Sequence, residues 1–325
     1  MTAYLLRRLL YAVPILIGVN LLTFVLFFVV NSPDDMARLH LGNKHVTTDA
    51  IDAWKRAHGY DRPLLYAPDA PGAQRFTRTV FFEKSVRLLA FDFGRADDGR
   101  DIGRDIRQRM GPSLAIALPG LVLGLLTNIT LALGVVFVRG SALERVAVFL
   151  AVLGMSVSTL FYIIGAQYVV AKLLNLAPVS GWQDGAGALK FLILPLLVGV
   201  VSGIGGGLRW YRLLFLEEAG KDYVRTARAK GLSEGAVLGR HVLRNAAIPI
   251  LTGVVAVIPL LFMGGLLTES FFAIPGLGSY TIDAIQSQDF SIVRAMVYLG
   301  AVLYLLGLLL TDLSYTLADP RVRLA

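Results

Sequence analysis

Residues 222–251, DYVRTARAKGLSEGAVLGRHVLRNAAIPIL, set a basic, glycine-hinged stretch between two apolar runs that are each long enough to cross a bilayer. A hydrocarbon core takes about 20 consecutive apolar residues per helix. Runs of that kind recur at about Leu9–Val30, Leu114–Val138, Val146–Val170, Leu189–Leu208, Ala246–Thr268 and Ile292–Tyr315. With 55% apolar and 17% charged residues over 325 positions, the composition is that of a membrane protein rather than a soluble domain. The reading is an all-α polytopic membrane protein with six transmembrane helices and an extracytoplasmic domain between the first two. Arg7 and Arg8 precede the first run as in a signal peptide, but the run is too long for an h-region and no small-x-small cleavage site follows, so it is retained as a helix. The sequence has no cysteine, which excludes disulfides and thiolate metal sites.

The formal charge of +8 is informative loop by loop, because Lys and Arg in short loops set orientation. Arg7 and Arg8, Arg139 and Arg145, the 222–251 stretch, and Arg321 and Arg323 all fall on one side of a six-span chain. That side is expected to be the cytoplasm, with both termini in it. The basic balance then needs no nucleic acid. The organisation expected is 1–30, N-terminus and first span; 31–110, outer domain; 111–216, spans two to four; 217–245, cytoplasmic loop; 246–325, the last two spans and the C-terminus.

The outer segment carries its own helix signals. Thr47 and Thr48 are placed to cap a helix through Ala50 and Trp54, Gly59 to end it, and Pro63 to prevent its resumption. FTRTVFFEKSVRLLAF, residues 76–91, reads as an amphipathic patch lying along the outer interface. Pro112 reads as a first-turn proline where span two begins. Whether this domain is a passive cap or a docking surface for a soluble partner stays open at this point.

Within the spans, Gly120 and Gly124, and then Gly199, Gly203 and Gly207, recur every fourth residue, a spacing that lets helix backbones approach closely. Pro14, Pro119, Pro195 and Pro259 are expected to loosen their helices. Ionisable residues at membrane depth read as nearly absent: Glu269, Asp312 and Arg209 lie near span ends, and Asn20, Asn128 and Gln167 read as interhelical hydrogen-bonding groups. An ion-coupled carrier usually shows titratable groups at depth, so an ATP-independent carrier or channel is the weaker alternative. A membrane-embedded enzyme is weaker still. EEAGKD, residues 217–222, lacks the upstream glycine and the following Ser or Thr of a phosphate loop. SGIGGGLRW, residues 202–210, is not placed between a strand and a helix. His40, His45 and His58 share the outer segment while His241 is elsewhere, so no metal or catalytic cluster is expected.

The opening stretch reads as helix, glycine turn, helix. Glu217, Glu218 and Asp222 come first and Arg225, Arg228 and Lys230 last, the charge order that suits a helix dipole. Gly231 is placed as a left-handed cap and Ser233 as the N-cap of a second helix containing Val237, Leu238, His241 and Val242. Tyr223, Ala227 and Lys230 recur at helical spacing, with Ala229 near the turn. A basic interfacial helix can be held by anionic lipid. Large apolar residues are missing between Val224 and Gly231, however, and a face of small residues suits a groove in another protein.

DYVRTARAKGLSEGAVLGRHVLRNAAIP resembles the cytoplasmic coupling loop of bacterial ABC importer permeases of the oligopeptide and dipeptide family. So do YLLRRLLYAVPILIGVNLLTFVLF at 4–27, GYDRPLL at 59–65, FDFGR at 91–95, ILPLL at 193–197, ESFFAIPGLGSYTIDAI at 269–285 and LSYTLADPRVR at 313–323. The resemblance spans essentially the whole chain, with 64–90 departing from it. In the wider superfamily the loop begins Glu-Ala-Ala; the matching residues here are Arg225, Thr226 and Ala227. The resemblance implies a permease, not an enzyme, that pairs with a second homologous permease and sits on two ATPase subunits. It also implies substrate delivery by an extracytoplasmic binding protein. Asp222, Tyr223, Arg225, Thr226, Ala227, Arg228, Lys230, Gly231, Leu232 and Ser233 would then dock in the ATPase. ATP and Mg would be bound there and not in this chain.

Overall fold

A computed structural model describes residues 2–42 and 46–318. His45, Arg321 and Arg323, and the DPRVR end of the C-terminal motif, lie outside the described residues. In chain order the main helices are α1 (Thr2–Phe24, continued by a wider π-helical turn to Val30), α2 (Pro33–Leu41), α3 (Thr48–His58), α4 (Ile102–Phe137), α5 (Ala142–Met155), α6 (Thr159–Ala166), α7 (Leu189–Ala219), α8 (Asp222–Ala229), α9 (Leu243–Val257), α10 (Leu266–Phe271), α11 (Leu277–Gln286) and α12 (Phe290–Ala318). Among the described residues the only strand-like pairing is an isolated antiparallel bridge between Arg95 and Asp101.

Among the described residues, five helical stretches are long and apolar enough to cross a membrane: Arg7–Val30, Ile102–Phe137, Gly185–Ala219, Glu234–Met263 and Phe290–Ser314. The expected third span is not one straight helix. It is a pair, Ala142–Met155 and Thr159–Leu173, bent by 92°. Serines make the corner: the Ser156 hydroxyl donates to the carbonyl of Val152 (3.1 Å), and Ser158 caps α6 by accepting from the Leu160 amide (3.4 Å). Tyr162 closes it, donating to the Gly154 carbonyl at 2.9 Å. Hydroxyls that satisfy freed backbone groups make such a break tolerable inside an apolar run.

Two other boundaries differ from expectation. α4 starts at Ile102, so Pro112 sits ten residues inside it rather than in its first turn. Asp101 sets the earlier start, its carboxylate accepting the Arg104 amide at 2.8 Å, and the resulting 36-residue helix runs about 54 Å, well beyond a bilayer core of ~30 Å. The span expected to reach Thr268 ends at Met263, where Gly264 takes a φ of +70° that an L side chain rarely adopts.

The chain divides into two compact units, one holding most of Met1–Met110 with Tyr280–Leu309 and the other Gly111–Ser279 with the segment after Leu310. The first is organised around Phe24, Phe28, Met36, Ile51, Trp54, Tyr60 and Val80. Its short helices are locally specified. Ser32 and Asp35 form a reciprocal capping box for α2, Thr47 caps α3, and Gly59 ends it with a left-handed φ of 70°. The 76–91 patch breaks into short helical turns whose Val80, Ser85 and Leu88 are buried. Asn20 of α1 donates to the Ser85 carbonyl at 2.7 Å, so this patch packs on the first helix.

The second unit has a core of Phe215, Ala219, Val224, Ala227, Val237, Leu238, Val242, Ala246 and Ile250, joined by Ala132 and Val136 of α4. The glycine stripes are used selectively. A side chain at Gly207 would strike Asn128, and a Cβ at Gly205 would lie 2.5 Å from the Ala151 carbonyl, whereas Gly124, Gly199 and Gly203 face open space. Gly205, outside the expected stripe, is the residue that lets α7 approach α5.

Candidate functional site

The loop between α7 and α9 is built from the inside outward. After Ala219 the chain turns through Gly220, whose amide donates to the Glu217 carbonyl at 3.2 Å, and α8 begins at Asp222. Asp222 lies in the first turn and Arg228 in the last, so both charges oppose the helix macrodipole at their own end. The Thr226 hydroxyl donates back to the Asp222 carbonyl at 3.0 Å.

One face of this eight-residue helix is buried in the chain's own core. Val224 and Ala227, three apart and therefore on one side, are buried beside Phe215, Val237, Leu238 and Val242. Ala227 thus does not lie on the outward face that its spacing with Lys230 suggests. Burying a Val side chain is worth about 1.5–3 kcal/mol, and alanine at 227 lets the helix backbone sit close to the bundle.

The far end of α8 is closed by main chain alone. Gly231 has φ +79°. Its amide donates to the Arg228 carbonyl at 2.9 Å and the Leu232 amide to the Ala227 carbonyl at 3.4 Å, the two bonds of a Schellman cap. Ser233 occupies the N-cap position of the turn Glu234–Val237, but its side chain accepts no capping bond. What ties the two helices is a bidentate pair, Arg228 Nε and Nη2 to the Glu234 carboxylate at 3.0 and 2.6 Å. At the near end, buried Glu218 accepts from Lys221 Nζ at 2.7 Å and from the Tyr223 hydroxyl at 2.9 Å. Burial, then the adjacent Glu218 carboxylate, pushes the Tyr223 hydroxyl up to about 12.

The solvent-facing surface is therefore Asp222, Arg225, Thr226, Arg228, Ala229, Lys230, Gly231, Leu232 and Ser233, with Tyr223 half-buried. Asp222 and Arg225 pair loosely at 3.4 Å with both side chains largely exposed. Lys230 makes no ion pair among the described residues. The surface is cationic, small at its centre, and backed by a rigid seat.

A second constellation lies in the same unit. Glu269, on α10, is 1% exposed and accepts the amides of Gly265 (3.2 Å), Gly278 (2.7 Å) and Ser279 (3.1 Å). Burial pushes its carboxyl above the usual carboxylate range; the Ser113 hydroxyl and those amides pull it back. Ser113 Oγ in turn accepts the Leu277 amide at 2.8 Å. Side chains at Gly264 or Gly276 would run into the Glu269 carboxylate. The IPGLGS turn is thus folded around one acid, beside a cavity of about 270 Å³ lined by Ile116, Gly120, Leu196, Gly199, Val257 and Leu261 among others.

Sequence reasoning passed over three charged groups. Glu144 and Arg212 pair between α5 and α7, and Arg294 is buried at the start of α12. The spans are therefore less bare of charge than composition suggests. Of the expected hydrogen-bonding groups, Asn20 and Gln167 bond other segments, Gln167 reaching the carbonyls of Val179 and Phe271 (3.2 and 3.1 Å), while Asn128 donates within α4 to Gly124 (2.8 Å). Among the described residues no group of three or more His, Asp or Glu could hold a metal ion.

Comparison with known proteins bears on the whole chain. Residues 120–324 match the family described as "Binding-protein-dependent transport system inner membrane component". Residues 1–84 match its N-terminal companion, which takes in most of the 64–90 segment that departs from the resemblance. The chain is 30% identical over 332 residues to the dipeptide transport system permease protein DppB of Lactococcus lactis subsp. cremoris, covering 100% of both. It is 29% identical over 351 residues to DppB of Escherichia coli K12, covering 99% of both.

Proposed function

Because the chain belongs to the family of inner-membrane permease components of binding-protein-dependent ABC importers, we propose that it forms half of a translocation path for peptides or peptide-like solutes. The relatives named as dipeptide permeases support that substrate class. The other half is a second homologous permease, two ATPase subunits bind ATP and Mg below, and an extracytoplasmic binding protein delivers the solute from outside. Both termini are cytoplasmic, and the segment 31–110 faces outside, as the distribution of Arg and Lys between loops suggests.

In this reading α8 is the coupling helix. The observation that carries it is the two-sided character of Asp222–Ser233: Val224 and Ala227 fixed in the core of α7, α9 and α4, and Arg225, Thr226, Arg228, Lys230 and Leu232 turned to solvent. A helix seated that firmly passes a push from an ATPase groove into the spans as rigid-body movement. Anionic lipid competes for the same cationic face. The test is Lys230→Glu in the assembled transporter. ATPase co-purification and peptide uptake should both fall about tenfold or more, and unaltered co-purification would overturn the docking assignment.

A further inference from the structure

The unit containing Tyr280–Leu309 encloses a cavity of about 340 Å³ beside Lys84, Arg95, Ser291 and Arg294. Arg294 is buried and Lys84 part-buried, and among the described residues neither has a carboxylate within ion-pair distance. Arg294 is 3% exposed; its Nη2 donates to the Lys84 carbonyl and to Ser85 Oγ, and its guanidinium lies 4.8 Å from the Phe28 ring centroid. Its Nε is fully buried and has no partner. Lys84 Nζ sits 5.1 Å over the Tyr60 ring, and burial holds its ammonium below the usual lysine range. Neither cation forms an ion pair among the described residues.

Two of the three acids in the cavity wall are paired with arginines, and the third caps α4. Glu83 pairs with Arg62 at 2.5 Å, Asp92 with Arg87 at 2.6 Å, and Asp101 accepts the Arg104 amide. Leaving a buried charge such as that of Arg294 uncompensated costs several kcal/mol, and with the part-buried Lys84 beside the same space the pair calls for an anion. A planar guanidinium selects carboxylate geometry, while an ammonium adds a point charge. The cavity's volume is at the low end of the ~300–1,000 Å³ usual for ligand sites, which suits a small acid.

We infer that this cavity binds a small carboxylate, held between Arg294 and Lys84. Two sources share that chemistry: the free C-terminal carboxylate of a peptide cargo, which rests on the import reading above, and an unrelated small organic acid.

The test uses the full transporter in nanodiscs at constant ionic strength, titrated with dialanine, dialanine amide, acetate and chloride while thermal unfolding is followed. Dialanine should stabilise saturably and its amide should not, and Lys84→Met should weaken the dialanine response at least tenfold. Should Arg294→Gln fail to fold, Lys84→Met keeps the test, since its ammonium contacts only a ring face. Acetate matching dialanine sinks the cargo source and leaves the carboxylate site. Chloride acting as well as either acid, or Lys84→Met responding to dialanine within twofold of the parent, overturns the site itself. Dialanine uptake by the parent transporter, measured separately, reports on the import reading whatever the titration shows.

Discussion

Arg212 of α7 donates through Nη2 to the Glu144 carboxylate of α5, whose other oxygen accepts the Gly140 amide at 2.6 Å. One acid thereby holds two helices and the turn between α4 and α5, seven residues before α7 ends. Breaking a largely buried pair leaves its other member uncompensated. Glu144→Gln should lower stability, though by less than breaking a fully enclosed pair would, because Arg212 is partly exposed. Detergent thermal unfolding reads this directly, and replacing both residues by Met and Leu should recover much of the loss.

Gly231→Pro removes an amide that donates to Arg228 and demands a φ near −65° where +79° is present. The permease should still insert, while ATP hydrolysis proceeds without uptake. Reconstituted vesicles assayed for both would show whether the two separate; normal uptake contradicts the coupling role.

Ala227→Leu adds bulk inside a filled core, which typically costs about 1–3 kcal/mol. The strain falls under α8, so the helix should lift before the bundle unfolds. Protease sensitivity confined to 220–233, with the spans intact, is the expected pattern.

Glu269→Ala leaves the buried amides of Gly265, Gly278 and Ser279 without their acceptor. At about 1–3 kcal/mol for each unsatisfied group, the yield of folded protein should collapse. Glu269→Gln, which retains one oxygen, should lie between, and equal yields for the two would refute the cradle.

Asp97 is pushed above the usual carboxylate range by burial and then by the neighbouring Asp289, with His58 and His40 pulling the other way. A raised folded value means that Asp97 contributes stability below its unfolded value of ~3.9 and loses it as pH rises through the folded one. The unit that holds Asp97 should therefore lose stability as pH rises from about 4. Asp97→Asn should flatten that slope in a thermal-unfolding series.

Helix class, the positions of most spans and the α8–turn–helix unit are legible in the sequence because each has a local cause: an apolar run of bilayer length, a charge order, a glycine at a positive φ. What escaped was set by contacts distant in sequence. The Ser156–Ser158 corner hides inside an apolar run that reads as one span. Ala227 faces inward because the core supplied by Phe215 and Val242 lies on that side, a fact that spacing with Lys230 does not carry. Arg294 and Glu269 look like ordinary residues near helix ends until Phe28, Ser85 and the Gly276–Ser279 amides are folded around them.

The seat of α8 has a mechanical consequence. The helix spans about 12 Å, and its inner side grips both the helix that arrives and the one that departs. A load on Arg225 or Lys230 therefore enters the membrane at two points with a lever arm between them, and it arrives as a torque on the bundle rather than as a tug on either span.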